Sequence, residues 1–254
     1  TATDAFQPLP NEFASALVIV PKTRQILYSF KPEKLHVAAS LTKLANALVF
    51  VNTQPAWSKA VALKKVDEVG GGRLRVANGA TLTIQDLFYS SVTASANNAA
   101  TALGRVSGFS SAKYLSEMNK TAKKVGATQS VFYDLSGMDP RNMTTALDMS
   151  RIAEAAFTQP MIQKAASRMS YSFRIRNTGE LKTIHNTNTL LTDDPDVWVV
   201  GGKTGYLEES MYNLVMMARP MTADGKPIYG HDIIVVVFGA PTKEGQFTAA
   251  KRLA

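Results

Sequence analysis

Apolar residues follow two different rhythms along this chain. Near both ends they form short dense runs: ASALVIVP at 14–21, QILYSF at 25–30, YNLVMMAR at 212–219 and DIIVVVFGA at 232–240. Runs of this length, rich in β-branched residues and bounded by turn formers, predict strands. The polar turn at Lys22-Thr23-Arg24 joins the first two as a hairpin, and Ala223-Asp224-Gly225-Lys226 separates the last two. The apolar stretch 197–200 leads toward Lys203, which is therefore expected to begin or lie on a strand. Between the ends the rhythm is helical. Residues 41–51 predict a helix with an almost wholly apolar surface, and such a helix is buried inside its domain. Further helices are expected over 85–91, 97–106, 113–125, 146–157 and 242–253. Gly126 stands where a helix C-terminus favours glycine, and Thr144-Thr145 with Asp148 mark a helix start. Residues 73–76 and 81–84 read as a small hairpin about Asn78-Gly79, a strong turn signal.

Strands at both ends with helices between them imply an α+β fold in which the two ends meet in one antiparallel sheet. The 254 residues are expected to make a single domain. Its sheet lobe would take about 1–50 and 180–254, and its helical lobe about 51–179.

Composition narrows the chemistry. The chain has no cysteine, which excludes disulfides, a thiol nucleophile and Cys-ligated metal. Its three histidines, His36, His185 and His231, stand in unrelated contexts with no HExxH-like pair, so a catalytic metal site is not expected. The net charge of +8 allows anionic partners. Yet the basic residues are scattered and no aromatics interleave with them, so nucleic acid is not an expected partner. No apolar run approaches the ~20 residues that cross a bilayer. The start, Thr1-Ala2-Thr3-Asp4, carries no visible signal peptide.

Three short strings carry the candidate chemistry: Ser40-Leu41-Thr42-Lys43, Ser95-Ala96-Asn97 and Lys203-Thr204-Gly205. Ser40 reads as a helix N-cap or as a nucleophile. Lys43, three residues on along a buried helix, can reach its hydroxyl, and desolvation would make that amine a base near neutrality. Ser95 with Asn97 reads as a helix start, or as a proton-relaying hydroxyl beside a positioning amide. Lys203, Thr204 and Gly205 read as a surface turn, or as a cation and hydroxyl for a carboxylate with close backbone approach.

Taken in order, the three strings resemble the penicillin-binding protein and serine β-lactamase superfamily. Within it the chain is similar to the low-molecular-weight serine-type D-alanyl-D-alanine carboxypeptidases. The likeness extends through AASLTKLANALV, VANGATLTIQDLFYSSVTASANNAATALGRVSG, FYDLSGMDPRNMTTALDMSRIAEAAF and HNTNTLLTDDPDVWVVGGKTGYLEESMYNLVMMA. The resemblance implies the β-lactamase/transpeptidase-like fold and a cofactor-free hydrolase. It makes Ser40 the nucleophile, Lys43 its base, Ser95 a proton relay and Asn97 a positioning residue. Lys203 and Thr204 would hold the substrate carboxylate, and the amides of Ser40 and Tyr206 would form the oxyanion hole. Implied partners are peptidoglycan stem peptides and, as covalent inhibitors, β-lactam antibiotics. The implied location is extracytoplasmic, with any membrane association through a region outside this chain. The membrane-proximal β-domain of many relatives is not expected within it.

The likeness has departures. The middle motif often reads Ser-Gly-Asn-Asp, whereas here Ala96 and Asn98 replace the glycine and the acid. Leu207 stands where a hydroxyl residue often follows, and Asn186-Thr187-Asn188 where some relatives carry arginine. A β-lactamase of this fold would need an acid to activate the deacylating water. The comparable segment, 132–142, offers only Asp134 and Asp139. The same three strings would also serve a D,D-endopeptidase acting on peptidoglycan cross-links, and the positive charge alone would suit a non-catalytic cell-wall binder.

Overall fold

The computed structural model describes residue 9 and residues 11–192 and 196–254; the four N-terminal residues read for a leader lie outside these. In chain order the elements begin with β1 (Ser15–Ile19), β2 (Ile26–Phe30), β3 (His36–Val37) and α1 (Thr42–Asn52). Next come β4 (Ala60–Ala62), β5 (Thr81–Thr83), α2 (Ile84–Val92), α3 (Asn97–Val106) and α4 (Ser111–Lys124). Then follow β6 (Met143–Thr144), α5 (Ala146–Phe157), α6 (Pro160–Ala166), β7 (Ser170–Arg174), β8 (Leu181–His185) and α7 (Thr189–Thr192). The chain closes with β9 (Trp198–Leu207), β10 (Met211–Arg219), β11 (Ile233–Ala240) and α8 (Lys243–Leu253).

Both chain ends meet, as expected, in one antiparallel sheet ordered β2-β1-β11-β10-β9. The run of Ile and Val in β11 is buried on both faces, which explains why it shows no polar alternation. The strand period of two then sorts its side chains. Ile234, Val236 and Phe238 join Leu17, Val215 and the helices on one face, whereas Val235 and Val237 join Val18, Leu214 and Phe247 of α8 on the other. On the first face α1 is packed among α2, α3, α4 and α5, and its residues 42–50 are all buried. Among the described residues no helix is long and apolar enough to cross a membrane.

The expected hairpin over 73–84 forms differently. Gly79 turns the chain with φ +85°, but β5 pairs with β4, placing Val61 opposite Leu82. Residues 73–76 form no strand, because the Asn98 side chain takes both backbone groups of Leu74: its Oδ1 accepts from the Leu74 N–H at 2.9 Å and its Nδ2 donates to the Leu74 carbonyl at 3.0 Å. The hairpin β7–β8 is not visible in the apolar pattern, since most of its side chains face solvent.

Candidate active site

Ser40 lies in a single 3₁₀ turn, residues 39–41, that feeds directly into α1. The N-cap of α1 is Leu41 and carries no side-chain capping bond, so the Ser40 hydroxyl is not spent as a cap. Ala39, just before it, has φ +46°, an unfavourable conformation for a residue with a Cβ. Lys43 follows one helical turn on. It is fully buried, and its Nζ lies 2.8 Å from Ser40 Oγ. The same Nζ donates to Asn97 Oδ1 at 2.6 Å and to the Ser136 carbonyl at 2.6 Å.

Those partners decide what Lys43 can do. Asn97 Oδ1 and the Ser136 carbonyl only accept, so a neutral amine spends both of its hydrogens on them. Its remaining lone pair then faces Ser40, the one partner with a proton to give. Burial lowers the Lys43 pKa to about 7, and the Asp134 carboxylate opposes part of that shift.

Asn97 is the first residue of α3 and is fixed from both sides. Its Nδ2 donates to the Gly70 carbonyl at 2.9 Å, and its backbone N–H to the Gly72 carbonyl at 2.8 Å. Gly71 is required between them, because a Cβ there would lie 2.7 Å from Asn97 Nδ2. Ser95, in the tight loop before α3, has φ +58°. Its Oγ accepts from Lys203 Nζ at 2.8 Å.

Lys203 sits in the middle of β9 and is almost fully buried, which rules out a surface turn. It also donates to the Thr204 carbonyl at 2.9 Å. Burial pushes its pKa well below the ordinary lysine value, and the nearby Lys43 charge adds to that effect. Thr204 Oγ1 lies 2.6 Å from Thr187 Oγ1. Gly205 lets β9 pass close to the Ser40 backbone: a Cβ would come within 3.2 Å of the Ser40 nitrogen. Tyr206 follows, half-exposed, its ring 4.4 Å from that of Tyr212.

Ser40, Ser95, Asn97, Thr204, Gly205 and Tyr206 line one cleft of about 610 Å³, and Lys43 and Lys203 bond into it from behind. The seven residues singled out by the three strings are thus brought together, with Tyr206, which the resemblance added. Residues that the strings did not reveal complete the setting. Ser136 contributes its carbonyl to Lys43, and Thr187 contributes a hydroxyl beside Thr204. Asp134 ties the Ser136 loop: its carboxylate accepts from Ser136 Oγ at 2.7 Å, the Gly137 N–H at 2.9 Å and Asn142 Nδ2 at 2.6 Å. An acid two residues ahead of Ser-Gly is a signal for such a side-chain-stabilised turn. Ser136 acts through a backbone carbonyl, to which its residue type is no guide.

A mixed helical and antiparallel framework thus encloses a buried lysine hydrogen-bonded to a serine, a pairing suited to acyl transfer. The chain belongs to the D-alanyl-D-alanine carboxypeptidase family, whose profile matches residues 4–242. It is 30% identical over 197 residues to a D-alanyl-D-alanine endopeptidase of Haemophilus influenzae, covering 77% of this chain and 66% of that protein. It is 27% identical to the D-alanyl-D-alanine carboxypeptidase DacF of Bacillus subtilis, covering 96% and 62% respectively. Among solved structures, penicillin-binding protein D2 of Listeria monocytogenes in its cefotaxime-bound form superposes with a TM-score of 0.81 at 25% identity, covering 98% of both chains.

Proposed function

We propose that this chain hydrolyses the terminal D-Ala-D-Ala bond of peptidoglycan stem peptides through an acyl-enzyme on Ser40. The observation that carries this reading is Lys43 Nζ, 2.8 Å from Ser40 Oγ with its other two partners able only to accept. In this mechanism Lys43 takes the hydroxyl proton as Ser40 Oγ bonds to the scissile carbonyl carbon. The amides of Ser40 and Tyr206 receive the oxyanion, and close contact between Gly205 and the Ser40 amide supports that pairing. As the C–N bond breaks, Ser95 passes a proton to the departing D-alanine nitrogen. Water then attacks the ester and returns Ser40. Lys203, Thr204 and Thr187 hold the terminal carboxylate, Thr187 supplying a hydroxyl that Leu207 lacks. A carboxylate arriving beside desolvated Lys203 restores its ammonium form.

Intact-mass measurement after incubation with penicillin tests the reading. One covalent adduct is expected on the wild type and none on Ser40→Ala; an equal adduct on both, or none on either, overturns it. The adduct should persist, because neither acid of the 132–142 segment is free to activate water. Asp134 is engaged by its own loop, and Asp139 pairs with Arg141. Rapid clearance would instead favour a β-lactamase. The endopeptidase name of the Haemophilus relative favours a second reading, cleavage of D,D cross-links, which assay on cross-linked dimers distinguishes from release of free D-alanine. Either substrate implies an extracytoplasmic site of action.

A further inference from the structure

The cleft does not end at Ser95. Past Ala94 it opens into a second cavity of about 590 Å³, lined by Gly71, Gly72, Arg73, Arg75 and Ala94. Gly71, Gly72 and Ala94 line the first cleft as well, so the two spaces are neighbours. The fold itself brings two arginines to this cavity. Leu74 between them is buried, and Asn98 holds both of its backbone groups, which leaves Arg73 and Arg75 exposed on either side. Neither guanidinium is used up within the chain. Arg73 has only a loose pairing with Glu68 at 3.6 Å, and the other oxygen of Glu68 accepts from Asn98 Nδ2 at 2.9 Å. Arg75 forms no ion pair among the described residues. Two cations that line one space repel each other, and an anion between them relieves that repulsion. A carboxylate is the anion whose two oxygens best match a guanidinium.

Ser95 decides which part of a substrate comes near these arginines. Its hydroxyl passes a proton to the departing nitrogen, so the acyl half stays with Ser40 and the leaving half lies at Ser95. A departing D-alanine ends there, with its carboxylate on Lys203 and Thr204. In a D,D cross-link the departing amine instead continues into a second peptide, and the cavity past Ala94 gives that peptide room. Resting on the reading of Ser40 given above, we propose that Arg73 and Arg75 form a subsite for the terminal carboxylate of the departing peptide. The two guanidiniums donate to its oxygens, and the subsite favours cross-linked peptides whose departing half carries that charge.

The test uses two cross-linked dimers with the same acyl half. Their departing halves differ only at the end, a free carboxylate in one and a carboxamide in the other. Chromatography of the products gives kcat/KM for each. The wild type is expected to prefer the carboxylate by about tenfold or more, the worth of one charge-assisted hydrogen bond. Arg73→Gln and Arg75→Gln should each reduce that ratio to below about threefold, and Arg75→Glu should reverse it. Each ratio is internal to one preparation, so partial misfolding, which slows both dimers alike, does not imitate the result. A flat ratio in the wild type, or cleavage of neither dimer, overturns the subsite. So does an undiminished ratio in both glutamine variants, or a retained carboxylate preference in Arg75→Glu. Any of these alongside a penicillin adduct on Ser40 rejects the subsite only. No adduct on wild-type Ser40 rejects the underlying reading, and the subsite with it.

Discussion

Asn98 shows how a single position can depart from a family pattern for a local physical reason. Its Oδ1 accepts from the Leu74 N–H, while its Nδ2 donates to the Leu74 carbonyl and to Glu68 Oε1 at 2.9 Å. An aspartate would present an oxygen to both acceptors and place a second carboxylate beside Glu68. Asn98→Asp should therefore cost about 1–3 kcal/mol, read as a lower melting temperature. Adding Glu68→Gln should restore part of the loss, because glutamine can donate to the new carboxylate; no recovery would show that the pairing with Glu68 does not matter. Ala96 needs no such account, since its φ of −69° makes no demand for glycine. Lys43 governs the pH response at this scale. With a pKa of about 7, it becomes a free base only as pH rises past neutrality. Penicillin acylation should increase about tenfold per pH unit below pH 7 and level off above it, as stopped reactions analysed by mass would show. A rate independent of pH from 5 to 8 would remove Lys43 from the role of base.

The elements around the site hold one another by close backbone contact, and this sets what sequence could foretell. Gly137, with φ +88°, sits against the turn that carries Ser40: a Cβ there would lie 1.9 Å from the Ala39 carbonyl oxygen. Gly137→Ala must displace residues 39–40, so acylation should fall by about 100-fold or more. Gly108→Ala is the control, because Gly108 has nearly the same φ, +86°, but open space around it. It should lose about 1 kcal/mol of stability and keep its acylation rate. The terminal strands and main helices were legible because apolar period and caps are local properties, as at Thr145 before α5. Lys43 was legible because a lysine in an apolar helix demands a reason. The pairing of β5 was not, since Asn98 takes the Leu74 backbone from a distant helix. The Ser136 carbonyl was hidden for a related reason: every residue has one, and only the fold aims it.

At the scale of the whole molecule, the fold keeps cationic groups in surroundings that favour their neutral forms. Lys43 belongs to the helix at the centre of one apolar cluster, and Lys203 to the edge strand of the sheet. Burial first, and then the nearby Lys34 charge, holds the His36 pKa at about 4. In each case the unfolded chain binds a proton that the folded chain has released. For His36 this difference spans about pH 4 to 6.5, and for Lys43 about pH 7 to 10.5. Stability should therefore rise with pH across both windows, by up to about 1.4 kcal/mol per pH unit for a fully buried lysine. Lys203 acts in the same direction. Urea unfolding from pH 7 to 9 should show the rise, and Lys43→Met should reduce its slope by up to one proton's worth. The Ser40→Ala variant, which keeps both lysines, should retain most of it. A stability curve flat from pH 7 to 9 would mean that the folded chain carries Lys43 and Lys203 as cations, leaving Ser40 without a base at neutral pH.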